Sequence, residues 1–183
     1  MNNILSCLEG VRTVIIAGHT RPDGDCVGAC MGLWHYLRDN YPEIEADVRL
    51  EPVPESYKVI AGVEQIIGSY EDDKVYDLFI ALDASDKGRL AGAQKYFDTA
   101  KHRICIDHHI SNPGYADENM IVSDASSTCE VLTWDRWKMW IAPFGSWRRR
   151  LRPRWKSRWT RSSSPARCRK FGSSLASATS ILT

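Results

Sequence analysis

Three short apolar runs in the first 133 residues each end on an acid or a histidine, and this pattern constrains the fold more than any other feature of the chain. Thr13–Ala17 (TVIIA) passes through Gly18 into His19, Asp23 and Asp25. Leu78–Leu82 (LFIAL) leads into Asp83, and 103–106 (RICI) leads into Asp107, His108 and His109. Short β-branched runs bounded by polar turns mark strands buried on both faces of a parallel sheet. Between them Val27, Cys30, Met31, Trp34 and Leu37 recur at helical spacing, which predicts an amphipathic helix over 26–38. Gly28 and Gly32 on that helix predict a close approach to the sheet. Residues 46–50 read as another strand, 59–67 as a short helix and 90–100 as a longer one. Ser127 with Glu130 has the form of a capping box opening a helix that includes Val131 and Leu132. Strands separated by helices of this length imply an α/β fold, a doubly wound, mostly parallel sheet with helices on both faces.

In such a sheet, sites form outside the carboxyl ends of the strands. The three clusters are therefore expected to converge on one edge. Carboxylates and imidazoles without thiolates suit Mn²⁺, Mg²⁺, Fe²⁺ or Zn²⁺. Four or more carboxylates gathered together repel one another unless cations sit among them. Two divalent ions sharing a carboxylate meet that need, activate water and bind phosphoryl oxygens. Each cluster alone has an ordinary explanation. Pro22-Asp23-Gly24 reads as a turn, a lone Asp83 as a helix cap, and a histidine pair as surface. Their conjunction, each following a strand, carries the reading of a site for phosphoryl chemistry.

The same residues resemble a known family. HTRPDGD at 19–25, LDASD at 82–86 and IDHH at 106–109 are similar to the first three motifs of the DHH phosphoesterases. The stretch 108–132 looks closest to the bacterial bifunctional oligoribonucleases and pAp phosphatases of the nanoRNase type, N-terminal part only. The resemblance implies that His19 and Asp23 bind one metal, Asp25 and His108 the other, and that Asp83 bridges both. The two ions would be manganese, or alternatively magnesium. His109 would face the scissile phosphate, and Asp107 would hold a motif histidine in its catalytic tautomer. Ser126, Ser127 and Thr128 open a helix whose N-terminus is a further candidate for holding an anion. The implied substrates are short oligoribonucleotides and 3′-phosphoadenosine 5′-phosphate. A cyclic-dinucleotide phosphodiesterase is the alternative within the same chemistry, and a non-functional truncated product the alternative outside it. The oligomeric state is left open, a homodimer being one arrangement of the full-length family. After Glu130 the only acid is Asp135, too early to serve as the family's fourth-motif aspartate, and the glycine-rich C-terminal substrate domain has no counterpart. The chain is therefore expected to be nearly inactive.

Composition divides the chain at the same place. Residues 1–133 hold 11 Lys and Arg against 22 Asp and Glu; residues 134–183 hold 13 against one, with six of the seven tryptophans. Three readings compete for that basic Trp/Arg/Ser-rich tail: out-of-frame translation, a nucleic-acid or membrane-surface arm, and a helical extension. The first is preferred, because lost acids with Arg, Trp, Ser and Pro enrichment follow from a shifted GC-rich frame. No apolar run approaches the roughly 18 residues of a membrane span. The N-terminus lacks the basic start and apolar stretch of a secretory signal. The six cysteines form no C-x-x-C pair, as expected of reduced thiols in a cytoplasmic protein with no membrane partner. A structural zinc on Cys26 and Cys30 is not expected.

Overall fold

A computed structural model describes residues 7–133. The tail, with Asp135 and Cys168, lies outside the described residues.

Five strands form one sheet: β1 (Thr13–Ala17), β2 (Glu45–Arg49), β3 (Leu78–Leu82), β4 (His102–Asp107) and β5 (Glu118–Ile121). Their order is β2-β1-β3-β4-β5 and every pairing is parallel. Alternate residues of the central strands serve opposite layers. Val14, Ile16, Leu78, Ile80, Ile104 and Ile106 pack under α1 (Gly24–Asn40) and α3 (Thr128–Thr133). Ile15, Ala17, Phe79, Ala81 and Cys105 pack against Leu90, Tyr96 and Phe97 of the segment containing α2 (Gln94–Thr99). Strands covered on both faces must be apolar at every position, which is why their sequences carry no alternation.

The doubly wound α/β architecture is as expected, and several local readings are corrected. Residues 59–67 form no helix. They hold a 3-10 turn at Val63–Gln65, entered through Gly62 at φ 83°, and a separate 3-10 turn at Glu55–Tyr57 lies before them. Ile60, Val63 and Ile66 nonetheless pack on the core, so the apolar residues signalled burial and not periodicity. The helix expected over 90–100 is a 3-10 segment, Lys87–Ala93, bent at Ala91 (φ 44°), followed by the short α2. Strand β5 carries no mark in the sequence, because ENMI shows no alternation and is half-buried throughout. Gly28 and Gly32 do not bring α1 to the sheet. A Cβ on Gly28 would meet Cys129 Sγ of α3 at 3.1 Å, while Gly32 has open space. Gly28 thus seats one helix against another.

The strand order reverses between β1 and β3: β1 is followed by β2 on one side, and the chain returns to lay β3 on the other. In open α/β sheets this crevice is where ligands bind. The loop carrying His19 and the turn carrying Asp83 stand at its two lips.

Candidate metal centre

Asp83 is the focus of the site. It follows β3, is 1 % exposed and has φ 57°, a left-handed conformation rare for a residue with a Cβ. Such backbone persists where its surroundings over-determine it, as at ligand sites. One Asp83 oxygen lies 3.5 Å from His19 Nε2. The other lies 3.6 Å from His108 Nε2 and 3.7 Å from His109 Nδ1, and accepts the Thr128 hydroxyl at 3.0 Å.

The two flanking histidines are oriented by the same device. His19 Nδ1 meets the carbonyl of Thr20 at 2.8 Å, and His108 Nδ1 that of Ala125 at 3.3 Å. Donation from Nδ1 leaves each Nε2 a lone pair turned toward carboxylates. Asp23 caps α1 by accepting from the amides of Asp25 and Cys26, each at 3.0 Å, and lies 3.7 Å from His19 Nε2. Asp25 accepts from the amides of Thr128 and Cys129 at 2.7 and 2.9 Å and lies 3.8 Å from His108 Nε2. The anion expected at the N-terminus of α3 is therefore supplied by the protein: Asp25 occupies those amides.

Asp107 ends β4 and is fully buried. It accepts from the His108 amide, His109 Nδ1 and Asn112 Nδ2 at 2.8, 2.8 and 2.7 Å. The structure thus brings His19, Asp23, Asp25, Asp83 and His108 around one crevice, with His109 beside Asp83 and Asp107 behind His109.

The donor set fits divalent cations. Nε2-to-carboxylate distances of 3.5–3.8 Å are long for hydrogen bonds. They lie at or a few tenths of an ångström beyond the separation of two ligands sharing one ion at about 2.0–2.2 Å from each, which stand roughly 3–3.6 Å apart. Among the described residues no lysine or arginine pairs with these carboxylates; their ion-pair partners are the histidines. Without a metal, the Asp83 carboxylate beside His19 outweighs burial and raises the His19 pKa to about 9. A proton then sits where a cation fits. Asp23 is held below its ordinary value: burial raises it, but the Cys26 amide and His19 outweigh that.

Two residues of this site, Cys26 and Asn112, are not marked by the sequence, and Thr128, a candidate for an anion-holding helix start, takes a different role. Cys26 places Sγ within reach of the ligand atoms of His19 and Asp83. It fits only because residue 18 is glycine, since a Cβ there would lie 2.2 Å from that sulfur. Thr128 contacts both Asp83 and Asp25, and Asn112 clamps Asp107 to the carbonyl of Ala84. Thr128 reads as part of a helix start and Asn112-Pro113-Gly114 as a turn, so their second partners leave no trace in local sequence. Ser127 caps α3 by accepting from the Glu130 amide at 2.9 Å, but the Glu130 carboxylate returns to Ser126 instead of Ser127. One bond of the capping box forms as expected at Ser127, and the Glu130 carboxylate reaches one residue further back, to Ser126.

The profile of the DHH family N-terminal domain matches residues 13–134. The chain belongs to the DHH family. A Streptococcus mutans protein named probable bifunctional oligoribonuclease and PAP phosphatase NrnA is 30% identical over 132 residues, covering 71% of this chain and 40% of that protein. The Bacillus subtilis protein named bifunctional oligoribonuclease and PAP phosphatase NrnA is 31% identical over 122 residues, covering 66% and 36%. The chain thus spans about two fifths of the length of these relatives, and what it shares with them is the DHH domain. Its fold is similar to the crystal structure of an exopolyphosphatase-related protein from Bacteroides fragilis, with a TM-score of 0.65 at 22% identity over 78% of this chain and 42% of that one. No helix among the described residues is long and apolar enough to cross a membrane.

Proposed function

We propose that this DHH domain is the two-metal half of a phosphoesterase acting on short oligoribonucleotides and on 3′-phosphoadenosine 5′-phosphate, the substrates named for its NrnA relatives. The observation that carries this reading is the single Asp83 carboxylate facing His19 on one side and His108 on the other. His19, Asp23 and Asp83 would hold one cation, and Asp25, His108 and Asp83 the other, manganese being preferred. Bound there, the two ions supply charge for the phosphoryl oxygens and lower the pKa of water. Asp107 fixes the ring of His109 through Nδ1, so that in the doubly protonated ring Nε2–H would donate to a phosphoryl oxygen as charge builds on it. Thr128 and Asn112 hold Asp83, Asp25 and Asp107 in place, so the donors need little rearrangement when substrate arrives.

The test is an assay of the purified chain with Mn²⁺ on three substrates: a short RNA, 3′-phosphoadenosine 5′-phosphate and a cyclic dinucleotide. Slow metal-dependent release of mononucleotides and of phosphate, abolished by Asp83→Ala, is expected. Cleavage of the cyclic dinucleotide alone would replace this reading with the cyclic-dinucleotide one. Hydrolysis of none of the three at saturating Mn²⁺ would contradict the activity.

A further inference from the structure

The opposite end of the sheet carries another group of metal-ligating side chains. Cys7 precedes β1, His102 is the first residue of β4 and Glu118 the first of β5. All three therefore lie at strand beginnings, away from the edge where Asp83 and Asp107 stand. Register pairs Ile104 with Glu118. Ile104 and Met120 pack in the core beneath α1 and α3. His102 and Glu118, each two residues earlier on its strand, take the next positions on that same core-facing side. Polar groups there continue the line of the core; they do not belong to the solvent face.

Their chemistry converges on one atom. Glu118 Oε1 accepts the Cys7 thiol at 3.2 Å and faces His102 Nε2 at 3.2 Å. The ligand atoms of all three lie within 4.8 Å of one another, and each residue is half-buried. The other ring nitrogen of His102, Nδ1, faces Asp117 Oδ2 at 3.6 Å. Asp117 is itself held by the amide and guanidinium of Arg103, and a small approach would make it the carboxylate on the far nitrogen that orients a metal-binding histidine.

We propose that Cys7, His102 and Glu118 bind a zinc ion, with Asp117 orienting His102, as a clip separate from the candidate catalytic centre. Thiolate, imidazole and carboxylate are the donors zinc takes, and around a tetrahedral ion at about 2.0–2.3 Å they stand roughly 3.3–3.8 Å apart. The present spacing needs only small side-chain shifts. The ion ties three segments together: the one before β1, strand β4, and β5, which is last in the sheet order. The thiol proton leaves for solvent on binding.

The experiment uses the full chain, stripped of metal with a chelator and titrated with Co²⁺. A thiolate on cobalt gives a sulfur-to-metal charge-transfer band in the near ultraviolet, which oxygen and nitrogen ligands do not. The band is expected to appear, to be displaced by Zn²⁺, to vanish in Cys7→Ser and to survive in both Cys26→Ser and Asp83→Ala. Survival in Asp83→Ala separates this site from the proposed catalytic one. Asp117→Asn should weaken Zn²⁺ binding about tenfold or more, a change that does not depend on altering a ligand. Absence of the band overturns the proposal. So does a band that survives Cys7→Ser and disappears in Cys26→Ser, since that sulfur lies beside His19 and Asp83.

Discussion

The two halves of the candidate metal centre are assembled differently. The half around His19 is nearly local: His19 is buried, its ring is fixed by the carbonyl of the next residue, and Asp23 is four positions along the same loop. The half around His108 draws on distant segments. Asp25 begins α1, His108 follows β4, and the amides that hold Asp25 belong to α3, more than a hundred residues further along the chain. Asp83 faces both. The first half is thus a consequence of one strand–turn–helix unit, whereas the second exists only when α3 is docked. Loss of α3 packing should empty the second half before the first.

The largest expected effect comes from removing what the halves share. Asp83→Ala should weaken Mn²⁺ binding at both positions if, as proposed, one carboxylate serves two ions. Calorimetric titration showing one position at full affinity would assign Asp83 to a single half. Asp25→Ala should divide the halves. It removes a proposed ligand of the second and leaves two α3 amides without their acceptor, at about 1–3 kcal/mol each. One Mn²⁺ position near its original affinity and a lower urea midpoint are expected; equal loss at both positions would erase the distinction. His109→Ala should lower turnover about 10²-fold with Mn²⁺ affinity intact, and a matching loss of metal would make His109 a ligand.

The halves should also differ in their response to pH. In the metal-free chain the His19 pKa is raised from 6.5 to about 9, chiefly by Asp83. The folded state then binds the proton more tightly than the unfolded one. Its stabilisation is complete below pH 6.5 and declines as pH rises toward 9. A loss on the order of 2 kcal/mol across that window, absent in His19→Gln, is expected from urea unfolding; an unchanged slope in the variant would place the titration elsewhere. The smallest effect is expected for Thr128→Val, which removes the hydroxyl donated to Asp83 but keeps the amide on Asp25. A cost of about 1 kcal/mol in stability, with recovery in Thr128→Ser, is the result to look for by thermal unfolding.

The parts of this molecule that could be read from sequence are those where local chemistry and tertiary role coincide. Strands β1 and β3 must be apolar at each position because both faces are covered, so TVIIA and LFIAL announce themselves. The acids and histidines beyond them mark the crevice at the sheet edge. The reading failed where the two roles separate. Ile60, Val63 and Ile66 contribute to the core from a loop broken at Gly62, so apolar content suggested a helix that does not form. Strand β5 is short and half-buried, and neither periodicity marks it. Asn112 and Thr128 carry short polar side chains whose nearby uses, turn and helix start, hide bonds to Asp107 and Asp83.

The central claim is that two ions share Asp83, and electron paramagnetic resonance of the Mn²⁺-loaded chain tests it most directly. Ions bridged by one carboxylate, about 3.5–4 Å apart, should give an exchange-coupled spectrum at two equivalents, and Asp83→Ala should abolish it. A spectrum of isolated, uncoupled Mn²⁺ with both positions filled would contradict the shared site.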